Sequence, residues 1–188
     1  MARLTQRLGF TRYQADEYYK MALDFYRRGR FDDAVDHITY AIEELPRSEY
    51  FATRGLIYME DGLPEKAQPD FEEALRLYPV EMLAHYGLGM LAYRAKKWDE
   101  AITHFTQAYH ADPQRPETLY YLALAYHRNG NNPVALQLME VAHGIFENAD
   151  DRRRIDANKW IRELKKLLDD APAPQPELPP QQQPLLDE

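Results

Sequence analysis

The chain has 188 residues, 45% of them hydrophobic, with no cysteine and a formal net charge of -8. That length can close one continuous apolar core, and the missing thiols exclude disulfides, thiolate metal sites and cysteine nucleophiles. The acidic balance argues against a general nucleic-acid binder, and without any long apolar run neither a signal peptide nor membrane insertion is expected, which makes the cytoplasm the expected compartment.

In chain order, residues 1–14 read as a lead-in. Thr11 with Gln14 has the pattern of a capping box, which predicts a first helix beginning near Arg12. From residue 15 the sequence repeats itself. The phrases FDDAVDHITYAIEELP, LPEKAQPDFEEALRLYP, WDEAITHFTQAYHADP and NPVALQLMEVA place alanines at Ala34, Ala67, Ala101 and Ala135, in steps of 33, 34 and 34 residues. The prolines Pro46, Pro79 and Pro113 keep the same step. A period of this length predicts units that bury their faces against their neighbours.

Each unit divides into two helices. The first carries Tyr18, Met21, Ala22 and Phe25, with counterparts Phe51, Gly55 and Tyr58; Leu88, Gly89 and Ala92; and Leu119, Leu122, Ala123 and Tyr126. Spacings of three and four place these side chains on one face, and the small residue lets a second helix approach closely. Turns follow at RRGRF, EDGLP, AKKWD and RNGNNP, where Gly29, Gly62 and Gly130 suit a left-handed helix end. Pro64 and Pro133 suit the first turn of the second helix. That helix presents Ala34, Ile38 and Ala41 in unit one and Ala101, Phe105 and Ala108 in unit three. Pro69 removes an amide donor near the end of a first turn and is expected to bend its helix.

Residues 151–169 predict one more helix, with Ile155, Trp160, Ile161, Leu164 and Leu168 as an apolar stripe that caps the last unit. From residue 170 the composition turns proline-rich and predicts a flexible tail. Its PELPP contains the PxxP spacing read by aromatic grooves. Its PLLDE combines Leu185 and Leu186 with two acids and could dock on the tyrosines and arginines of its own or a neighbouring chain.

Reactive chemistry finds little footing. His37 and His104 share a phase in different units, so they lie apart, and no HExxH or paired ExxH arrangement occurs. Glycines sit singly at turns and build no phosphate loop. Neither a metal nor a cofactor is expected, and no catalytic residue is assigned.

The order of aromatic or aliphatic residue, small residue, Tyr58 or Tyr126, alanines and closing proline resembles the tetratricopeptide repeat (TPR) family over residues 15–148, four units. Arg54 at a leucine-like phase, Ala92 in place of a tyrosine and the missing proline after Ala142 depart from it. The resemblance implies an all-α solenoid, a right-handed superhelix of antiparallel helix pairs, whose first helices line a concave, non-catalytic wall that holds a peptide or helix of a partner protein. The wall residues it implies are Tyr19, Leu23, Tyr26 and Arg27; Ala52, Leu56, Met59 and Glu60; Tyr86, Met90, Tyr93 and Arg94; and Tyr120, Leu124, His127 and Arg128. Tyrosine and arginine recur in this set, and both combine contact area with directional donors.

Family members that grip chaperone tails use a lysine and an asparagine where this chain has Tyr19 and Leu23, so that ligand is not expected. A peptide with apolar or aromatic anchors and some acidic character fits better. The alternative function is a self-assembling scaffold subunit. Nucleic acid would need Arg27, Arg94 and Arg128 in one positive row, which Glu60 interrupts.

Overall fold

The computed structural model describes residues 2–170, with side chains described from residue 11 onward. The proline-rich tail beyond Asp170, with PELPP and PLLDE, lies outside the described residues. The described chain is all helix: α1 (Ala2–Arg27), α2 (Phe31–Glu44), α3 (Ser48–Glu60), α4 (Pro64–Leu77), α5 (Met82–Arg94), α6 (Trp98–Ala111), α7 (Pro116–Arg128), α8 (Asn132–Asn148) and α9 (Arg154–Asp169). Consecutive helices pack as the pairs α1–α2, α3–α4, α5–α6 and α7–α8, α9 packs on α8, and α5 also touches the first helices α3 and α7 of its neighbours.

Local chemistry sets most helix ends. The residues that end α2, α4 and α6 are Leu45, Tyr78 and Asp112, with extended φ of -154°, -144° and -143°. Each precedes a proline, whose ring disfavours the helical conformation one residue earlier. No proline follows α8, and it runs to 17 residues where α2, α4 and α6 have 14. The turns between paired helices pass through Gly29, Gly62 and Gly130 at φ of 70°, 80° and 86°. The third turn uses Lys96 at φ 60° in the same phase.

Three expectations are corrected. Helix α1 starts at Ala2 and runs through Thr11, so the lead-in is helical and the capping-box pattern marks no helix end. Ala2, Arg3, Leu4, Gln6, Arg7 and Leu8 are good helix formers, which outweighs a cap signature. Met21 is 45% exposed. In unit two the same phase is Arg54, which touches Thr39 of the preceding α2, and among the described residues no helix pair covers Met21 in this way. Ile155 is 55% exposed, because the face of α9 turned inward is set by Ala157 and Leu164, both at 0%; two residues on a helix differ by about 200°.

Helix α4 passes through Pro69 without interruption. Only the carbonyl of exposed Glu65 loses its intrahelical donor there, and water can supply one.

The core is built on fully buried Phe71, Phe105, Ile38, Ile57, Met139 and Phe146 against the repeated alanines. Arg54 is no misfit at its leucine-like phase. It forms a bidentate pair with buried Asp70 on α4, Nε donating to Oδ2 at 2.8 Å and Nη2 to Oδ1 at 2.7 Å. Its Nη1 donates to Thr39 Oγ1 at 3.1 Å, so one guanidinium ties α2, α3 and α4 together.

A histidine pair, His85 buried and His104 half-buried, adds a pH response. His85 Nε2 lies 3.1 Å from the carbonyl oxygen of Pro79, which can only accept, so that nitrogen carries the proton. His85 Nδ1 then accepts from His104 Nδ1 at 3.2 Å. Burial, and secondarily the neighbouring His85, push the pKa of His104 below its ordinary value, with Glu100 opposing. The unfolded chain therefore takes up this proton more readily. The contribution of His104 is complete above the unfolded value of about 6.5 and is lost as pH falls through the lower folded one. The urea midpoint is expected to fall between pH 7 and 5, and His104→Gln to flatten that dependence. Equal slopes in the two proteins would refute the assignment.

Candidate peptide-binding surface

The wall residues implied by the repeat separate into a sealed set and an open set. In the first two units the tyrosines join α1 to α3. Tyr19 shares a hydrogen bond with Thr53 Oγ1 at 3.1 Å and sets its ring 4.7 Å from Tyr50. Burial pushes its hydroxyl pKa up to about 12. Tyr26 donates to Glu60 Oε1 at 2.6 Å, and burial together with this carboxylate raises its pKa well above the ordinary range. Tyr50 donates to Asp16 at 2.7 Å, closing the other end of the seam. Met90 is half-buried between two core clusters, and Leu124 is 7% exposed inside the α7–α9 core. His127 sits at hydrogen-bond distance, 2.8 Å, from Asn132 Oδ1 and 5.4 Å from the Trp160 ring. Arg27 is exposed on the last turn of α1.

The other predicted residues line two concavities. The first, of about 270 Å³, is walled by Tyr86, Tyr120, Tyr121 and Phe146, with Glu117, Arg153 and Asp156 at its edge. Its charges are already matched: Arg153 reaches Glu117 and Asp151, each at 2.6 Å, and Asp156 holds Lys159 at 2.9 Å. Arg115 stacks on the Tyr86 ring at 5.2 Å. Burial raises the Tyr86 hydroxyl pKa far above its ordinary value, so the phenol stays neutral. With its ions paired, this pocket chiefly offers the rings of Tyr86, Tyr120 and Tyr121, while the Phe146 ring, 1% exposed, lies beneath Arg153 at 4.7 Å.

The second concavity, of about 470 Å³ and more open, is lined by Tyr93, Arg94, Lys96, Trp98 and Arg128. Tyr93 meets Trp98 edge-on at 5.2 Å. The ring of Tyr121, in the wall of the first concavity, lies 6.1 Å from Tyr86 and 6.2 Å from Tyr93, a wall residue of the second.

Tyr121, Phe146, Glu117, Arg153 and Asp156 were not anticipated, because they lie outside the repeated wall phase or beyond the fourth unit. Lys96 and Trp98 were also missed, although phase arithmetic exposes Lys96: it stands where the other three turns have glycine. Among the described residues no group of three or more histidines, aspartates or glutamates is placed to hold a metal, and no helix is long and apolar enough to cross a membrane.

This geometry has relatives. The human Tetratricopeptide repeat protein 6 is 31% identical over 133 residues, covering 69% of this chain and 26% of that protein, so the chain spans about a quarter of the relative's length. The structure described as the functional characterization of Pseudomonas aeruginosa pilF superposes with a TM-score of 0.73 at 17% identity, covering 85% of this chain and 71% of that one. YrrB, described as a TPR protein with an unusual peptide-binding site, gives a TM-score of 0.59 at 22% identity, covering 77% and 74%. Sequence models of the tetratricopeptide repeat match residues 52–116 and 92–151, together more than half of the chain. With its four helix pairs in one phase and these matches, the chain is a member of the tetratricopeptide repeat family.

Proposed function

We propose that this protein is a non-catalytic adaptor that holds a peptide or helix of a partner on its first-helix wall, with an apolar side chain seated in the pocket of Tyr86, Tyr120, Tyr121 and Phe146. The observation that carries the reading is the internal pairing of that pocket's charged edge, which leaves aromatic surface for an apolar group. A wall that bound ions first would present its charges unpaired. Tyrosine faces give large contact area at small cost in side-chain entropy, as binding hot spots do. Helix α9 supplies Asp156 to the edge, and we assign residues 15–148 as the four repeats with 151–169 as their cap.

Peptides selected from a random library against the whole chain test this. They are expected to share an apolar or aromatic residue, and Tyr120→Ala is expected to weaken them roughly tenfold or more, as truncating a hot spot does. Arg27→Ala should leave them unaffected. Selected peptides that bind the Tyr120→Ala protein as tightly as the parent would sink the reading.

Leu77, Tyr78 and Val80 form an exposed apolar run at the α4–α5 junction, which favours self-association as the second reading. Light scattering that stays monomeric across a hundredfold concentration range would remove it.

A further inference from the structure

The geometry points to a distinct anion subsite between the α5–α6 turn and the end of α7, where Arg94, Lys96 and Arg128 receive acidic side chains of the partner peptide whose apolar residue occupies the aromatic pocket. This rests on the groove reading above and adds to it the charge of the partner and the spacing of its residues.

Two independent observations carry it. The first is charge. In a chain of net charge -8, Arg94, Lys96 and Arg128 line one concavity and make no ion pair among the described residues. The neighbouring Lys97, by contrast, is held by Glu100 at 3.0 Å. Three cations at one edge repel one another, and an anion relieves that repulsion. Aromatic Tyr93 and Trp98 form the remaining wall and lower the local dielectric around whatever binds.

The second observation is conformational. The turns of the other three units place glycine at the left-handed position, and this one places Lys96 there at φ 60°. A side chain in that conformation is unfavourable relative to glycine, and strain of this kind clusters at functional sites; among the described residues Asp150, at φ 51°, is the other non-glycine to adopt it. In the α5–α6 turn the residue that bears the strain is one of the three cations.

The arrangement also sets a spacing. Tyr86 and Tyr93 stand seven residues apart on α5, about 10 Å along the helix. An extended peptide covers that distance in about three residues. The partner is therefore an acidic peptide with an apolar or aromatic residue about three positions from its acids.

The test uses the full chain labelled with ¹⁵N and two probes, acetyl-Phe-Ser-Gly-Glu-Glu-amide and its Gln-Gln counterpart. The acidic probe is expected to shift the Trp98 indole N–H and the Lys96 amide and to bind at least fivefold more tightly than the neutral one. That advantage should shrink with added salt. Lys96→Gly should raise the melting temperature, by releasing the strain, and remove about fivefold of the acidic probe's affinity, the upper range for one exposed ion pair. Arg94→Gln with Arg128→Gln should abolish the difference between probes.

Equal affinity of the two probes, or a Lys96→Gly protein that is stabilised and still prefers the acidic probe undiminished, overturns the subsite. If both probes shift Tyr86, Tyr120 and Tyr121 equally, the groove reading stands without it. If only the acidic probe acts, and only at Trp98 and Lys96, the subsite stands and the apolar anchor fails. Should Asp187→Asn with Glu188→Gln tighten the acidic probe fivefold, the chain's own end is the occupant and the assignment to a partner is overturned.

Discussion

Asp70→Ala is expected to lower the unfolding free energy by about 3 kcal/mol, read from urea denaturation. The carboxylate holds Arg54 through two hydrogen bonds of 2.8 and 2.7 Å, with side-chain exposures of 8% for the acid and 18% for the arginine. Removing one partner of a buried pair strands the other charge, which costs about 3–5 kcal/mol, whereas replacing both with well-packed apolar residues is often neutral or stabilising. Arg54 retains some access to water, which places the loss at the lower end. The double replacement Arg54→Met with Asp70→Leu should recover most of it, giving a coupling energy well above additivity. A change under about 0.5 kcal/mol for Asp70→Ala, the range of an unremarkable surface substitution, would show that the pair does not hold α3 on α4.

Gly87→Ala is expected to cost about 2 kcal/mol, although alanine inside a helix ordinarily gains about 1 kcal/mol over glycine. A methyl on Gly87 would stand 2.1 Å from Cζ of Phe71, and Gly55 faces the same ring from another helix position, where a methyl would stand 2.6 Å from Cε1. Phe71 is completely buried, so the ring has no open direction in which to retreat. Overpacking of this sort costs about 1–3 kcal/mol, occasionally more. Phe71→Leu in the Gly87→Ala background should restore part of the loss. Gly144 is the control: a methyl there meets no atom within 4 Å, so Gly144→Ala should stabilise α8 by up to about 1 kcal/mol. Similar shifts at both positions would mean that helix propensity, not contact with Phe71, decides the outcome.

The contrast between these glycines bears on what the amino-acid order reveals. Gly55 and Gly89 recur with Ala22 and Ala123 in one phase, and their close approach to a neighbouring helix is legible from the repeat. Gly87 has no such recurrence, and its contact with Phe71 depends on the next unit's placement. The same distinction runs through the rest. Helix pairs, turns and the proline-marked ends announced themselves because 33- and 34-residue steps superimpose three or four copies of each signal.

Arg54 looked like a defect because its partner Asp70 lies on another helix, 16 positions away. Of the wall positions, Tyr86, Tyr93, Tyr120, Arg94 and Arg128 line the concavities, while Tyr19 and Tyr26 are engaged in the α1–α3 seam. A repeat phase specifies which way a residue points. It cannot specify whether a neighbouring unit supplies a hydrogen-bond partner. Thr53 and Glu60 do so for the early tyrosines, whereas Phe146, Arg153 and Asp156 surround the later ones from α8, the α8–α9 turn and α9.

The unequal seams between first helices give the protein a graded elasticity. Between α1 and α3, oxygen-to-oxygen bonds of 2.6 to 3.1 Å act along fixed directions, and such bonds weaken steeply once their angle or length departs from ideal. Between α5 and α7 apolar packing includes rings at 6.1 and 6.2 Å, and ring pairs hold their attraction over centroid separations of about 4.5–7 Å. A bending load is therefore expected to meet more directional resistance at the α1–α3 seam than at the α5–α7 seam. The seam expected to yield more easily is the one beside both concavities.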